Sequence, residues 1–195
     1  MKKLDGWVIT PGGFVTAAVK AGIKASGNLD VTIIKSTVPA ATGAVFTTNK
    51  LCAAPVLVSR EVAQRETASA IAVNAGCANA STGKRGLEDA REMQRLTAAA
   101  LGVKPEDIYV CSTGVIGQFM PMEKLARGLQ AVAQQLENTP AAGEACAKAI
   151  QTTDTYLKHV AYETEIEGKK VTVAGIAKGS GIIHPNMATM LTFIT

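Results

Sequence analysis

The chain has 195 residues, of which 47% are hydrophobic, 18% charged and only 4% aromatic. That is enough for one domain with a substantial core, or two small ones, filled by Ala, Val, Ile and Leu rather than by rings. The formal charge of +4 is mild and the Lys and Arg residues are scattered, which argues against a nucleic-acid binder and suits a ligand bearing carboxylates. Cys52, Cys77, Cys111 and Cys146 form no C-x-x-C pair, so four reduced thiols of a cytoplasmic protein are expected rather than a zinc site or a disulfide framework. The start Met1-Lys2-Lys3-Leu4-Asp5 leads into no apolar stretch, and no apolar run approaches bilayer length. Neither a signal peptide nor a transmembrane helix is therefore expected.

In chain order, Pro11-Gly12-Gly13 punctuates the start. Residues 30–35 are β-branched and read as a strand, with further short strand candidates at 44–47, 55–59 and 70–74. A short helix is expected over 61–67. Residues 76–83 are small and polar and read as a loop. After it, Leu87, Ala90, Met93, Thr97 and Leu101 recur on one face of a helix that Gly102 closes. Residues 107–111 read as a strand and 112–117 as a second small, polar loop. A helix over 122–136 follows Pro121, with Leu125, Leu129, Val132 and Leu136 as its stripe. Asn138-Thr139-Pro140 interrupts, and an Ala-rich helix is expected over 142–152. Val160, Tyr162, Thr164 and Ile166 then alternate with outward residues, Glu167-Gly168-Lys169 turns, and residues 171–178 return as a hairpin. Residues 190–194 read as a strand just beginning, so a polypeptide that continues further is expected.

Glycine-rich segments raise the question of phosphate binding. Six residues separate Gly76 from Gly83 and Arg85 follows Lys84, which does not fit a Walker loop. Gly179-Ser180-Gly181 lacks the third glycine of a dinucleotide turn, and Pro185 interrupts the helix it needs. His159 and His184 sit in no metal-ligand or Ser/His/Asp spacing and receive no catalytic role.

The most distinctive stretch is Lys178-Gly179-Ser180-Gly181, leading through Pro185-Asn186-Met187-Ala188 to Thr189-Met190-Leu191. It resembles the self-cleavage signature of the ornithine acetyltransferase (glutamate N-acetyltransferase) family. Taken alone, Ala188-Thr189 reads more simply as the start of a buried strand. Four further stretches in matching order shift the balance. They are Phe46-Thr47-Thr48-Asn49-Lys50 with the segment from Ala54 to Arg60, Val73-Asn74-Ala75-Gly76-Cys77-Ala78-Asn79-Ala80, Ser112-Thr113-Gly114-Val115-Ile116-Gly117, and Thr152-Thr153-Asp154-Thr155. Cys77 stands where the family commonly has Asn, and Ile182-Ile183 where it has Met-Ile.

The resemblance implies an α/β fold, the first half of a layered α/β/β/α-type sandwich. It divides the chain into residues 1–188, the alpha-chain domain, and 189–195, the start of a beta chain. Thr189 would be the nucleophile, freed by cleavage after Ala188, with its own α-amine as base. Thr113 and Gly114 would form the oxyanion hole, Lys178 would meet a substrate carboxylate, and Thr152 or Thr153 would bind substrate. The implied reaction is ping-pong acetyl transfer from N-acetylornithine to glutamate. No metal or bound cofactor is implied, and acetyl-CoA is an optional donor in some relatives. The implied partner is a second chain in a cytoplasmic heterotetramer of two alpha and two beta chains. An N-terminal-nucleophile aminopeptidase, or an inactive half of the transferase, are the alternative readings.

Overall fold

The computed structural model describes residues 1–179 and 190–195. Its elements in chain order are β1 (Lys2–Leu4), β2 (Phe14–Val19), β3 (Val31–Ala41), α1 (Ala54–Val62), β4 (Thr67–Cys77), α2 (Gly83–Leu101), β5 (Ile108–Val115), α3 (Met122–Ala133), α4 (Pro140–Ile150), β6 (Lys158–Ile166), β7 (Lys169–Lys178) and β8 (Leu191–Ile194).

Two four-stranded sheets form, ordered β2-β3-β4-β5 and β1-β6-β7-β8. In the first, β4 and β5 run parallel, as a strand pair joined through the intervening helix α2 permits. Alternation along β3 explains the layering: Val31 and Ile33 belong to one core, Ile34 to another. The first core lies under α1, α2 and α3, where Val58, Met93, Leu125, Leu129 and Val132 are fully or nearly fully buried. The second lies between the sheets. There Cys146 and Ile150 of α4 pack with Ile34 and Val73 of one sheet and Ile176 and Phe193 of the other. The expected layered α/β sandwich is therefore present as helices, sheet and sheet. Among the described residues no helix is long and apolar enough to cross a membrane.

Several local expectations change. Residues 44–47 carry no regular structure. Residues 55–59 are not a strand but part of α1, which ends at Val62, and Thr67 already opens β4. Pro55 sits in the first turn of α1, and Pro55, Val58, Ser59 and Val62 are buried. That spacing is helical, which a short apolar run conceals. The polar stretch at 112–117 is strand as far as Val115, because β5 stays paired to β4 up to Cys77. The loop expected over 76–83 shortens to the residues between Cys77 and Gly83. The last helix begins at Pro140, capped by the Thr139 hydroxyl accepting from the Ala142 N–H at 3.2 Å.

The hairpin is present, but its inward face is the opposite one. Ala161, Ala174 and Ile176 are buried, whereas Val160, Tyr162, Ile166 and Val173 are exposed. A period of two tells which residues share a face and not which face is covered. Cross-strand pairing places Val160 opposite Gly175, Gly175 opposite Ile194, and Tyr162 opposite Val173. The uncovered side of this sheet is thus an apolar surface.

Candidate active site

The ends of β4, β5 and β7, the loop after α4 and the turn between β2 and β3 enclose a cleft of about 940 Å³. That is within the ~300–1,000 Å³ range of small-molecule sites. The cleft owes its shape to two glycines. Gly76 (φ +113) brings β4 against the turn, where an added Cβ would lie 2.9 Å from the Lys24 amide nitrogen. Gly114 (φ +132) leaves no room at all, since a Cβ there would meet the Gly76 carbonyl carbon at 2.3 Å. The register shifts between Gly76 and Cys77, a bulge of the kind that re-aims strand ends.

Asn74, wholly buried, pins this bulge. Its amide donates to the Cys77 carbonyl at 2.9 Å, and its Oδ1 accepts from the Ser112 hydroxyl at 2.6 Å. Cys77 turns its thiol toward the Gln118 carbonyl at 3.4 Å and is buried in the helix-side core. It therefore fills space at the back of the site.

Of the residues singled out from sequence, Thr113, Gly114, Thr152, Thr153 and Lys178 all line the cleft. Ala188 and Thr189 lie outside the described residues. Lys178 is 3% exposed, so it is not a solvated strand-end lysine. Its ammonium donates to Thr113 Oγ1 at 3.1 Å. Burial pulls its pKa below the ordinary lysine value; nearby Asp154 opposes the shift and Lys158 reinforces it. Leu191, opposite Lys178 in the β7–β8 pair, brings the chain beyond residue 189 to the same place.

Asp154 and Lys24 were not marked as site residues by sequence. The Asp154 side chain has no exposed surface. Oδ1 accepts from the Gly179 N–H at 2.8 Å and from the Lys158 ammonium at 2.7 Å, and Oδ2 accepts from the Thr152 N–H at 3.3 Å. Burial favours the neutral acid, yet these donors outweigh it and hold the pKa below the ordinary carboxylate value. The motif Thr152-Thr153-Asp154-Thr155 already contained this residue; a single acid between threonines simply does not announce burial. Lys24 gives no local signal. Its position follows from Asp30, whose carboxylate accepts from the N–H groups of Ala21, Ile23 and Lys24 at 2.6, 2.6 and 3.0 Å. The Lys24 ammonium then donates to the Leu29 and Ala149 carbonyls at 2.6 and 2.9 Å. Burial lowers its pKa, Asp30 opposes this and Lys178 adds repulsion.

Chemically, the cleft offers the buried Lys178 and half-buried Lys24 ammoniums beside a hydroxyl and a glycine-shaped strand end. This arrangement suits an anionic ligand and a developing negative charge. Among the described residues no cluster of His, Cys, Asp or Glu is arranged to hold a metal. His159 stacks on Trp7, with ring centroids 3.9 Å apart, and its Nδ1 lies 2.9 Å from the Gly6 carbonyl oxygen. This histidine is committed to the fold.

Known proteins share both sequence and architecture. The arginine biosynthesis bifunctional protein ArgJ of Lactococcus lactis is 50% identical over 195 residues, covering all of this chain and 48% of the relative. The protein of the same name from Caldanaerobacter subterraneus is 49% identical over 194 residues, covering 47% of its length. This chain thus spans about half the length of these curated relatives. The crystal structure of ArgJ from Bacillus halodurans matches with a TM-score of 0.90 and 42% identity, over 97% of each chain. The ornithine acetyltransferase of Mycobacterium tuberculosis, crystallised with ornithine, matches with a TM-score of 0.89 and 38% identity, over 94% of this chain and 97% of the other. The ArgJ family model matches residues 15–195. With sequence, fold and site-bearing segments in agreement, this chain belongs to the ArgJ family.

Proposed function

We propose that this chain is the nucleophile-bearing first part of an ornithine acetyltransferase, which cleaves itself between Ala188 and Thr189 and then moves an acetyl group from N-acetylornithine to glutamate. The observation that carries this is convergence. Thr113, Gly114, Thr152, Thr153 and Lys178 come from three separate stretches of sequence and line one cleft. Further support comes from the lengths of the matched chains. The solved chains are covered over 97% of their own length, but the curated relatives over about half, as expected of polypeptides divided near this point.

In this reading the Thr189 hydroxyl attacks the Ala188 carbonyl carbon, and the peptide becomes an ester. Water hydrolyses the ester and leaves a free α-amine on Thr189. That amine, with a reference pKa of about 8, takes the proton from its own hydroxyl when the acetyl group is attacked. Ornithine leaves, and the glutamate amine accepts the acetyl group from Thr189 Oγ1. Both stages pass through a tetrahedral oxyanion. The Lys178 ammonium has no lone pair, so Thr113 Oγ1 accepts from it and the Thr113 proton remains available to the oxyanion. A donor of this kind lowers a barrier by about 3 kcal/mol. Lys178 and Lys24 supply the positive field for substrate carboxylates, and Thr152 or Thr153 adds a hydroxyl. The reaction needs no metal or bound cofactor, and acetyl-CoA is an alternative donor. A second chain completes the site within a heterotetramer of two alpha and two beta chains. The apolar outer face of the β6–β7 sheet is where the remaining half packs.

The test uses the full polypeptide that carries this sequence. Intact mass is expected to show a break after Ala188, and Thr189→Ala is expected to abolish both the break and acetyl transfer to glutamate. Cleavage of the Thr189→Ala protein, or an acetyl group trapped on another side chain, defeats the assignment. Release of free acetate without transfer moves the protein to the hydrolases.

A further inference from the structure

Gly179 and Met190 are the described residues that flank positions 180–189. The two lie side by side: an added Cβ on Gly179 would lie 3.4 Å from Met190 Cγ and 3.9 Å from its Cα. The following residues zip into the β7–β8 ladder, with Lys178 opposite Leu191 and Ala177 opposite Thr192. The position of Met190 is therefore set by the adjoining strand pairing, and that of Gly179 by whatever binds it. What binds it is Asp154, through the 2.8 Å bond from the Gly179 N–H.

The same carboxylate receives the Thr152 N–H at 3.3 Å, and Thr152 and Thr153 line the cleft. Two stretches that are far apart in sequence thus share one anchor. We infer that Asp154 is a positioning residue for cleavage, whose buried carboxylate fixes the backbone at Gly179 while holding the substrate loop at Thr152 in register with it. It acts through the backbone, which is why its side chain is wholly enclosed although it borders the cleft. The Lys158 ammonium, 2.7 Å away and 26% exposed, balances the charge from the solvent side and is not part of the anchor.

This inference rests on the self-cleavage proposed above, and the experiment separates the two. The rate of cleavage after Ala188 is followed by intact mass in the full polypeptide, for the parent protein and for Asp154→Ala, Asp154→Asn and Lys158→Met. Asp154→Ala is expected to slow cleavage by at least about tenfold, since small misplacements of reacting groups are costly. Asn keeps an oxygen that can accept from Gly179, so Asp154→Asn is expected to restore most of the rate. Lys158→Met, which leaves the Gly179 bond in place, is expected to cleave within about threefold of the parent, as loss of a partly exposed ion pair is a small perturbation. In the cleaved proteins, KM for glutamate is expected to rise in Asp154→Ala and not in Lys158→Met, reporting the loop at Thr152. Parental cleavage in Asp154→Ala overturns the inference. So does a Lys158→Met protein slower than Asp154→Asn, a comparison that stands even where Asp154→Ala does not fold. An uncut parent protein would instead count against the self-cleavage reading itself.

Discussion

Burial lowers the proton affinity of Lys178, and Asp154 works against that while Lys158 adds repulsion. The unfolded chain therefore binds this proton more tightly than the folded one, and the charged lysine costs the fold stability. Its contribution improves as pH climbs from the lowered folded value toward the ordinary lysine value. Lys178→Met is expected to flatten that rise in urea midpoint with pH, and to match or exceed the parent in midpoint near neutrality. Turnover of N-acetylornithine by the same variant is expected to fall about 100-fold or more, as when an interaction made in the transition state is removed. A lower midpoint with intact turnover contradicts this account. Thr113 makes a complementary case. Thr113→Val keeps shape but removes the acceptor of Lys178 and the proposed oxyanion donor. Self-cleavage and transfer are both expected to slow by about 100-fold, measured as single-turnover rates. A loss confined to transfer would mean that Thr113 serves substrate binding only.

At the scale of elements, β4 and β5 are shaped for the site as much as for the sheet. Gly114→Ala forces a Cβ to within 2.3 Å of the Gly76 carbonyl carbon at a φ of +132°, where no side chain can yield. A loss of about 3 kcal/mol or more is expected in chemical denaturation, because backbone strain and overlap add. A loss below about 1 kcal/mol, the size of an ordinary substitution, would mean the strand end is free to open. Helix α3 shows ordinary core energetics instead. Leu125, Leu129 and Val132 have no exposed surface, so Leu129→Ala is expected to cost about 2–5 kcal/mol, with no change in KM. The stripe on α3 was legible because three turns repeat it. Helix α1 was not, since its apolar residues fall in one short run that fits strand and helix alike until burial shows Pro55, Val58 and Val62 on one side.

For the whole molecule, the unequal treatment of the two sheets matters most. The β2–β5 sheet is covered on both faces, by α1–α3 and by α4 with the second sheet. The outer face of the β1-β6-β7-β8 sheet carries Val173 and Ile194 at 46% and 70% exposure. An apolar sheet surface of this kind drives association. The 195-residue chain is expected to self-associate in sedimentation, and Val173→Lys with Ile194→Lys to shift it toward monomer with unchanged far-UV circular dichroism. Identical sedimentation of the two proteins would show that this face is not sticky. Periodicity and turn chemistry determined, without any structure, the helix that Gly102 closes, a helix from 122 (expected to 136, ending at Ala133 in the fold), the hairpin and the α/β class, because these depend on neighbours in sequence. The five matching stretches between Phe46 and Leu191 also pointed to the family. Only the tertiary structure decided which face of the hairpin is buried, that Lys178 is withdrawn from water, and that Asp154 and Lys24 belong to the cleft. Burial and hydrogen-bond partners at those positions come from residues far away in the chain, as Gly179 does for Asp154 and Ala149 for Lys24. No local pattern encodes such distances.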